Sequence, residues 1–194
     1  MDELTGMDAL CIKRMNSALK ISAMTPTTFD RKALLQTILD QFRLDRDGDH
    51  GPAHWARVRK HAMTIGRARG ADLLVVELFS FLHDSQRENE FTDTGHGERA
   101  AAYAESLNRS HYSLTGSQMD KLCHAIRHHS GGQVHPDETI QSCWDGDRLD
   151  LGRVGITPSP LYMSEHAAKH IKKAYAWSRS ASSYSDRDFG IEPS

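Results

Sequence analysis

From Ala71 to Leu82 almost every residue is apolar, and the run ends in His83-Asp84. Leu73, Leu74, Val75, Val76, Leu78, Phe79, Phe81 and Leu82 leave no polar face, and a helix apolar all round belongs in the middle of a protein. Ending such a helix in an imidazole beside a carboxylate is costly unless something pairs with them. A divalent metal would do so. The chain is rich in further donors, with 12 histidines in 194 residues, most of them between positions 50 and 135.

This length supports one sizeable core and one domain. A net charge of −2 argues against general nucleic-acid or membrane-surface binding, and no stretch reaches the length of a membrane span. Met1-Asp2-Glu3-Leu4-Thr5-Gly6 lacks the basic start and apolar core of a signal peptide. Cys11, Cys123 and Cys143 are odd in number and show no CxxC spacing, which reads as three thiols in a reducing cytoplasm rather than a disulfide framework.

Residues 1–25 read as a loosely attached extension, with Met7, Met15 and Met24 each able to begin the chain, and 26–177 as the domain. Thr27 or Thr28 is expected to cap a helix from Phe29 to Arg43 with Leu34, Leu35, Ile38, Leu39 and Phe42 as its stripe. Asp45 to Gly51 resembles a calcium loop superficially, but Ala56 stands where the twelfth-position glutamate would be needed. Pro52 opens the next helix, and Gly70 stops it. Along it His54, Val58, His61 and Ile65 share one face, so His54 looks inward, either as a ligand or as a hydrogen-bonded core residue.

Past the central helix and a polar loop, Asp93 to Glu98 opens a helix that buries Ala100, Ala101, Ala104 and Leu107. Thr115 or Ser117 starts another, ending at His128-His129-Ser130-Gly131-Gly132. A helix from Thr139 to Leu151 carries Cys143, Trp144 and Asp147. Ser164 caps a last helix through Trp177, and 178–194 reads as a serine-rich, charged tail that could be disordered. No repeat and no alternating strand pattern appears. The fold class is all-α, a compact bundle of six to eight helices.

The candidate ligands are His54, His83, Asp84 and Asp147. Two imidazoles and two carboxylates suit Mn, Fe, Co, Ni, Zn or Mg with positions left for water. His54-Trp55-Ala56-Arg57-Val58, then His83-Asp84, then Asp147-Arg148-Leu149-Asp150 resemble the H…HD…D signature of the HD superfamily of metal-dependent phosphohydrolases. His50-Gly51-Pro52, His83-Asp84-Ser85 with Arg87 and Asn89, His96-Gly97, and Cys143-Trp144-Asp145 through Gly152 look like one subgroup of it.

The resemblance implies that His54, His83, Asp84 and Asp147 hold one metal, with Asp145 the competitor of Asp147. It also implies that His96 and His129 either hold a second metal, bridged by Asp84, or simply line the cleft. Asp84, His96 and His129 are then the candidate catalytic residues, and His50, Arg87, Arg127 and Arg148 the candidate contacts to substrate phosphate. Glu77, on the Asp84 face of an apolar helix, is expected to bond a ligand histidine or to pair with an arginine such as Arg57. His61, His111, His124, His166 and His170 read as surface or packing residues.

The expected activity is hydrolysis of a phosphate ester or anhydride, on a nucleotide or a related small molecule, by metal-activated water. The alternatives are a di-iron oxygenase of the same superfamily and a non-catalytic nucleotide-binding sensor. After His83-Asp84 many HD hydrolases carry an Ile-Gly-Lys type run where this chain has Ser85-Gln86-Arg87, so substrate does not transfer from them. The expected partner is a small phosphorylated molecule, with no nucleic acid and no membrane. Helices this apolar could also bury oligomer contacts.

Overall fold

The computed structural model describes residues 29–180 and 183–192. The expected N-terminal extension and the expected Thr27 or Thr28 cap lie outside the described residues. Eight α-helices are present among them: α1 Arg31–Gln41, α2 Pro52–Arg69, α3 Leu73–Leu82, α4 His96–Leu107, α5 Gly116–His128, α6 Glu138–Leu149, α7 Glu165–Ala168 and α8 Ile171–Ser180. No strand is found among the described residues, only an isolated bridge between Asn108 and Tyr112. The all-α expectation holds.

The caps follow side-chain chemistry. Asp30, Asp72, Asp137 and Ser164 each accept a hydrogen bond from the first turn of α1, α3, α6 and α7. Thr115 and Gln118 close a reciprocal capping box on α5. Pro52 supplies the preset φ at the start of α2, and Gly70 ends it at φ 73°, a left-handed conformation that favours glycine. The helix expected through Leu151 ends at Leu149, and Leu151–Val154 turns as a 3-10 helix. The single last helix expected from Ser164 is two, α7 and α8, broken at Lys169 and His170. Nothing in the sequence marks that break.

Helix α3 is central and touches α1, α2, α4, α5 and α6. Every residue from Val75 to Leu82 is buried, Glu77 and Ser80 included, as a nearly all-apolar helix requires. Glu77 is the acidic exception, and of its two expected pairings it takes the one with arginine, though with different arginines from the one named. It bonds neither a cleft histidine nor Arg57. Instead Arg31 grips it through Nε and a terminal nitrogen at 2.9 and 2.8 Å, and Arg59 Nε adds a contact at 2.8 Å.

Two glycines let helices approach closely. A Cβ on Gly146 of α6 would lie 2.5 Å from the Cβ of Ala62 on α2, and one on Gly97 of α4 would lie 2.9 Å from the Arg127 carbonyl on α5. The chain after Ser180 is not a bare tail where it is described. Asp186–Phe189 forms a 3-10 turn that buries Phe189 against Phe81, with ring centroids 5.3 Å apart. Arg59 donates to the Asp188 carbonyl and secures the same turn. No helix among the described residues is long and apolar enough to cross a membrane.

Candidate metal centre

Five helices converge on one buried cluster. His54 comes from α2, His83 caps the C-terminal end of α3 with Asp84 next to it, His96 opens α4, and His129 caps α5. Asp147 joins them from α6. All six predicted ligand positions therefore meet in space. His54 and His83 are fully buried, and Asp84, His96 and His129 nearly so.

Each imidazole is turned the same way by its Nδ1. That atom of His54 faces the Asp150 carboxylate at 2.7 Å, and those of His83, His96 and His129 face the carbonyls of Phe79, Asp93 and Ile126. A carbonyl or carboxylate oxygen only accepts, so Nδ1 carries the proton and the Nε2 lone pair points into the cluster. The Nε2 atoms of His54 and His83 lie 3.1 Å apart, and those of His96 and His129 lie 3.0 Å apart. Lone pairs that close repel unless a proton or a cation sits between them. Two nitrogens at about 2.1 Å from a shared ion, about 90° apart, would be separated by roughly 3 Å. The spacing fits a metal.

Asp84 faces both pairs. Its Oδ2 is 3.5 Å from the Nε2 of His54 and of His83, and its Oδ1 is 3.5 and 3.4 Å from those of His96 and His129. Oδ1 is buried without a hydrogen-bond partner, an arrangement that costs about 1–3 kcal/mol if nothing meets it. Asp147 Oδ1 lies 3.4 Å from His54 Nε2 and 3.7 Å from His83 Nε2. Two sets of donors thus share Asp84: His54, His83 and Asp84, and Asp84, His96 and His129. The two differ in one respect. His96 Nε2 also has an N–H of Arg87 at 3.4 Å and the Ser130 hydroxyl at 3.3 Å within reach.

Without a cation the cluster holds protons instead. Burial opposes charge on His54, but Asp147, Asp150 and Asp84 raise it to about 9. Burial dominates at His83 and pushes it down to about 3. The His129 imidazole is raised against the same burial by Asp84. Burial likewise opposes the Asp84 carboxylate, which His83, His129 and His54 hold well below the usual range. A divalent cation would compete with those imidazole protons.

The other predicted positions divide. Asp145 is fully buried but belongs elsewhere, accepting from Gln141, from the Ser164 amide and from the Ser164 hydroxyl. His50 is half-buried, pairs with Glu90, and lies with its ring 6.3 Å from that of His54. Arg87 holds the loop carbonyls of Asn89 and Phe91 and keeps one terminal nitrogen 3.5 Å from Asp84. Arg148 donates to the Gly131 and Tyr162 carbonyls. Arg127 turns to the surface, where it pairs with Glu98 and Glu105.

A recess of about 190 Å³ adjoins the cluster, walled by His129, Asp147, Arg148, Ser130, Ser159 and Tyr162. Ser130, Ser159 and Tyr162 carry no motif that would have singled them out. Asp150 is the larger omission. It stands three residues after Asp147 and binds both His54 and, at 2.6 Å, Arg57. Its spacing in Asp147-Arg148-Leu149-Asp150 was a usable signal, since i and i+3 share a helix face.

No protein-family model matches the sequence, and no curated protein matches it. Among solved structures the chain is similar to a predicted HD superfamily hydrolase from an uncultured Thermotogales bacterium. The two are 25% identical over 75% of this chain and 85% of the other, with a TM-score of 0.60. A looser overlap, at 18% identity and a TM-score of 0.44, covers 84% of this chain and 87% of Bacillus subtilis YpgQ, whose structure was solved with ADP.

Proposed function

The chain belongs to the HD superfamily, and on that premise we propose that it is a metal-dependent phosphohydrolase of a small phosphate ester or anhydride. The observation that carries the reading is the common orientation of four imidazoles, each with Nδ1 engaged and Nε2 aimed inward. His54, His83, Asp84 and Asp147 would hold one divalent ion, and His96 and His129, with Asp84, a second. When bound, such an ion supplies Lewis acidity, making water a better nucleophile near neutral pH and offsetting charge on phosphoryl oxygens.

The chain's own groups do the rest. Asp84, anionic and buried, orients the attacking water through its carboxylate. If only the first ion binds, His129 keeps a proton on Nε2 beside Asp84 and can donate it to a phosphoryl or leaving-group oxygen; with a second ion bound it serves as that ion's ligand instead. Arg87, from the loop after α3, and Arg148, from the last turn of α6, place guanidinium charge near the substrate's phosphate. The recess of about 190 Å³ is smaller than the roughly 300–1,000 Å³ of ordinary ligand pockets. It takes a phosphoryl group with a small organic portion, or that part of a nucleotide, leaving any base outside.

The test is metal content together with activity on a panel of phosphate monoesters and nucleotides, for wild type, His83→Ala and Asp84→Ala. Both variants are expected to lose bound metal and at least about 100-fold in activity while retaining helical circular dichroism. Full activity in either one overturns the reading. The paired donor sets around Asp84 also suit a di-iron oxygenase. Two irons per chain, with substrate-dependent oxygen uptake and no phosphate release, would favour that second reading.

A further inference from the structure

A cavity of about 400 Å³ lies between α2 and α8 and shares no residue with the histidine cluster or its recess. Its volume falls within the range of small-molecule sites, roughly 300–1,000 Å³. The base is apolar, made by Ile65, Leu149 and Ala174, all buried. One wall is aromatic, with the His61 and Trp177 rings 5.1 Å apart and steeply inclined to each other. At the rim stand two lysines. Lys60 lies 4.8 Å over the Trp177 ring, and neither it nor Lys173 has a carboxylate partner among the described residues.

His61 adds a polar but uncharged ring to the same wall. Burial pushes this imidazole down to about 4, so at neutral pH it carries no charge.

We propose that this cavity is a second binding site, for a small aromatic carboxylate. The flat apolar body matches the aliphatic base and the Trp177 wall, and the carboxylate lies at the rim against the ammonium groups of Lys60 and Lys173. A phosphate would match less well, because no arginine fork lines the cavity.

The test is calorimetric titration of the full-length protein with 2-naphthoate and with 2-naphthamide, its neutral isostere. One naphthoate per chain is expected, with the amide about tenfold weaker, a difference of about 1.4 kcal/mol. Lys173→Glu, an exposed position, should weaken naphthoate at least about fivefold without touching the fold. Ala174→Phe fills the cavity and should abolish binding with circular dichroism unchanged. Absence of naphthoate binding, equal affinity for the amide, or naphthoate binding undiminished in Lys173→Glu overturns the proposal.

Discussion

Asp150 holds two side chains at once, receiving His54 Nδ1 at 2.7 Å and Arg57 Nε at 2.6 Å. By fixing the imidazole's rotation and tautomer it decides where the His54 lone pair points. Substitution of such outer carboxylates typically costs about 10–100-fold in metal affinity. Asp150→Asn is therefore expected to weaken metal binding by that factor in a chelator competition, with little change in helix content. An unchanged affinity would mean that helix packing alone orients His54.

Glu77 makes a different residue-scale prediction, about stability. Burial pushes its carboxyl up, but Arg31 and Arg59 hold it below the ordinary 4.5. A depressed carboxyl contributes stability that is present above its unfolded value and is lost as pH falls through its folded one. Glu77→Gln should cost about 1–3 kcal/mol near pH 7, a range kept low because Arg31 is a third exposed. Denaturant curves of the two proteins should converge as pH drops below about 4.5. A difference that persists at pH 3 would assign the loss to packing.

At the scale of elements, the site depends on how closely pairs of helices approach. Gly146 allows α6 to lie against Ala62 of α2, which brings Asp147 to His54. Gly97 allows α4 to lie against the end of α5, which brings His96 to His129. Ala in place of a helical Gly gains about 1 kcal/mol of intrinsic propensity, while overpacking costs about 1–3 kcal/mol. At Gly146 the obstacle is α2 backbone and its Cβ, so overpacking wins. Gly146→Ala is expected to lower stability by about 1–2 kcal/mol and to weaken the metal held with His54 and His83. Gly97→Ala should spare that metal and disturb only the His96–His129 pair, as a titration resolving two ions would show. These approaches explain an asymmetry in what the sequence disclosed. The six cluster residues were legible because each stands in a motif at a helix end or on a helix face. Which glycine passes which neighbour is set by tertiary packing and has no local signature, and the same holds for Arg31 and Arg59 meeting Glu77 from two other helices.

For the molecule as a whole, periodicity disclosed the helices because each buries a stripe or, in α3, its whole surface. It did not disclose the last docked segment. Residues 183–192 contain few apolar positions, and composition alone argues for a solvated tail. Yet Phe189 is fully buried against Phe81, the Tyr184 ring meets it at 5.6 Å, and the Asp188 carbonyl is tied to Arg59. One aromatic anchor outweighs a polar average. Removing a buried Phe side chain costs about 3–5 kcal/mol when its site cannot collapse. The lower end applies here, because the segment holding Phe189 is short and can shift. Phe189→Ala is expected to lose about 3 kcal/mol, or roughly 6–12 °C in Tm for a domain of this size. It should leave metal affinity unchanged, since Phe189 packs on α3 through Phe81 and makes no contact with the histidine cluster. A loss below about 1 kcal/mol, within the range of surface substitutions, would mean that the segment docks without contributing to the core. A loss of metal together with stability would mean that α3 depends on this anchor to place His83 and Asp84.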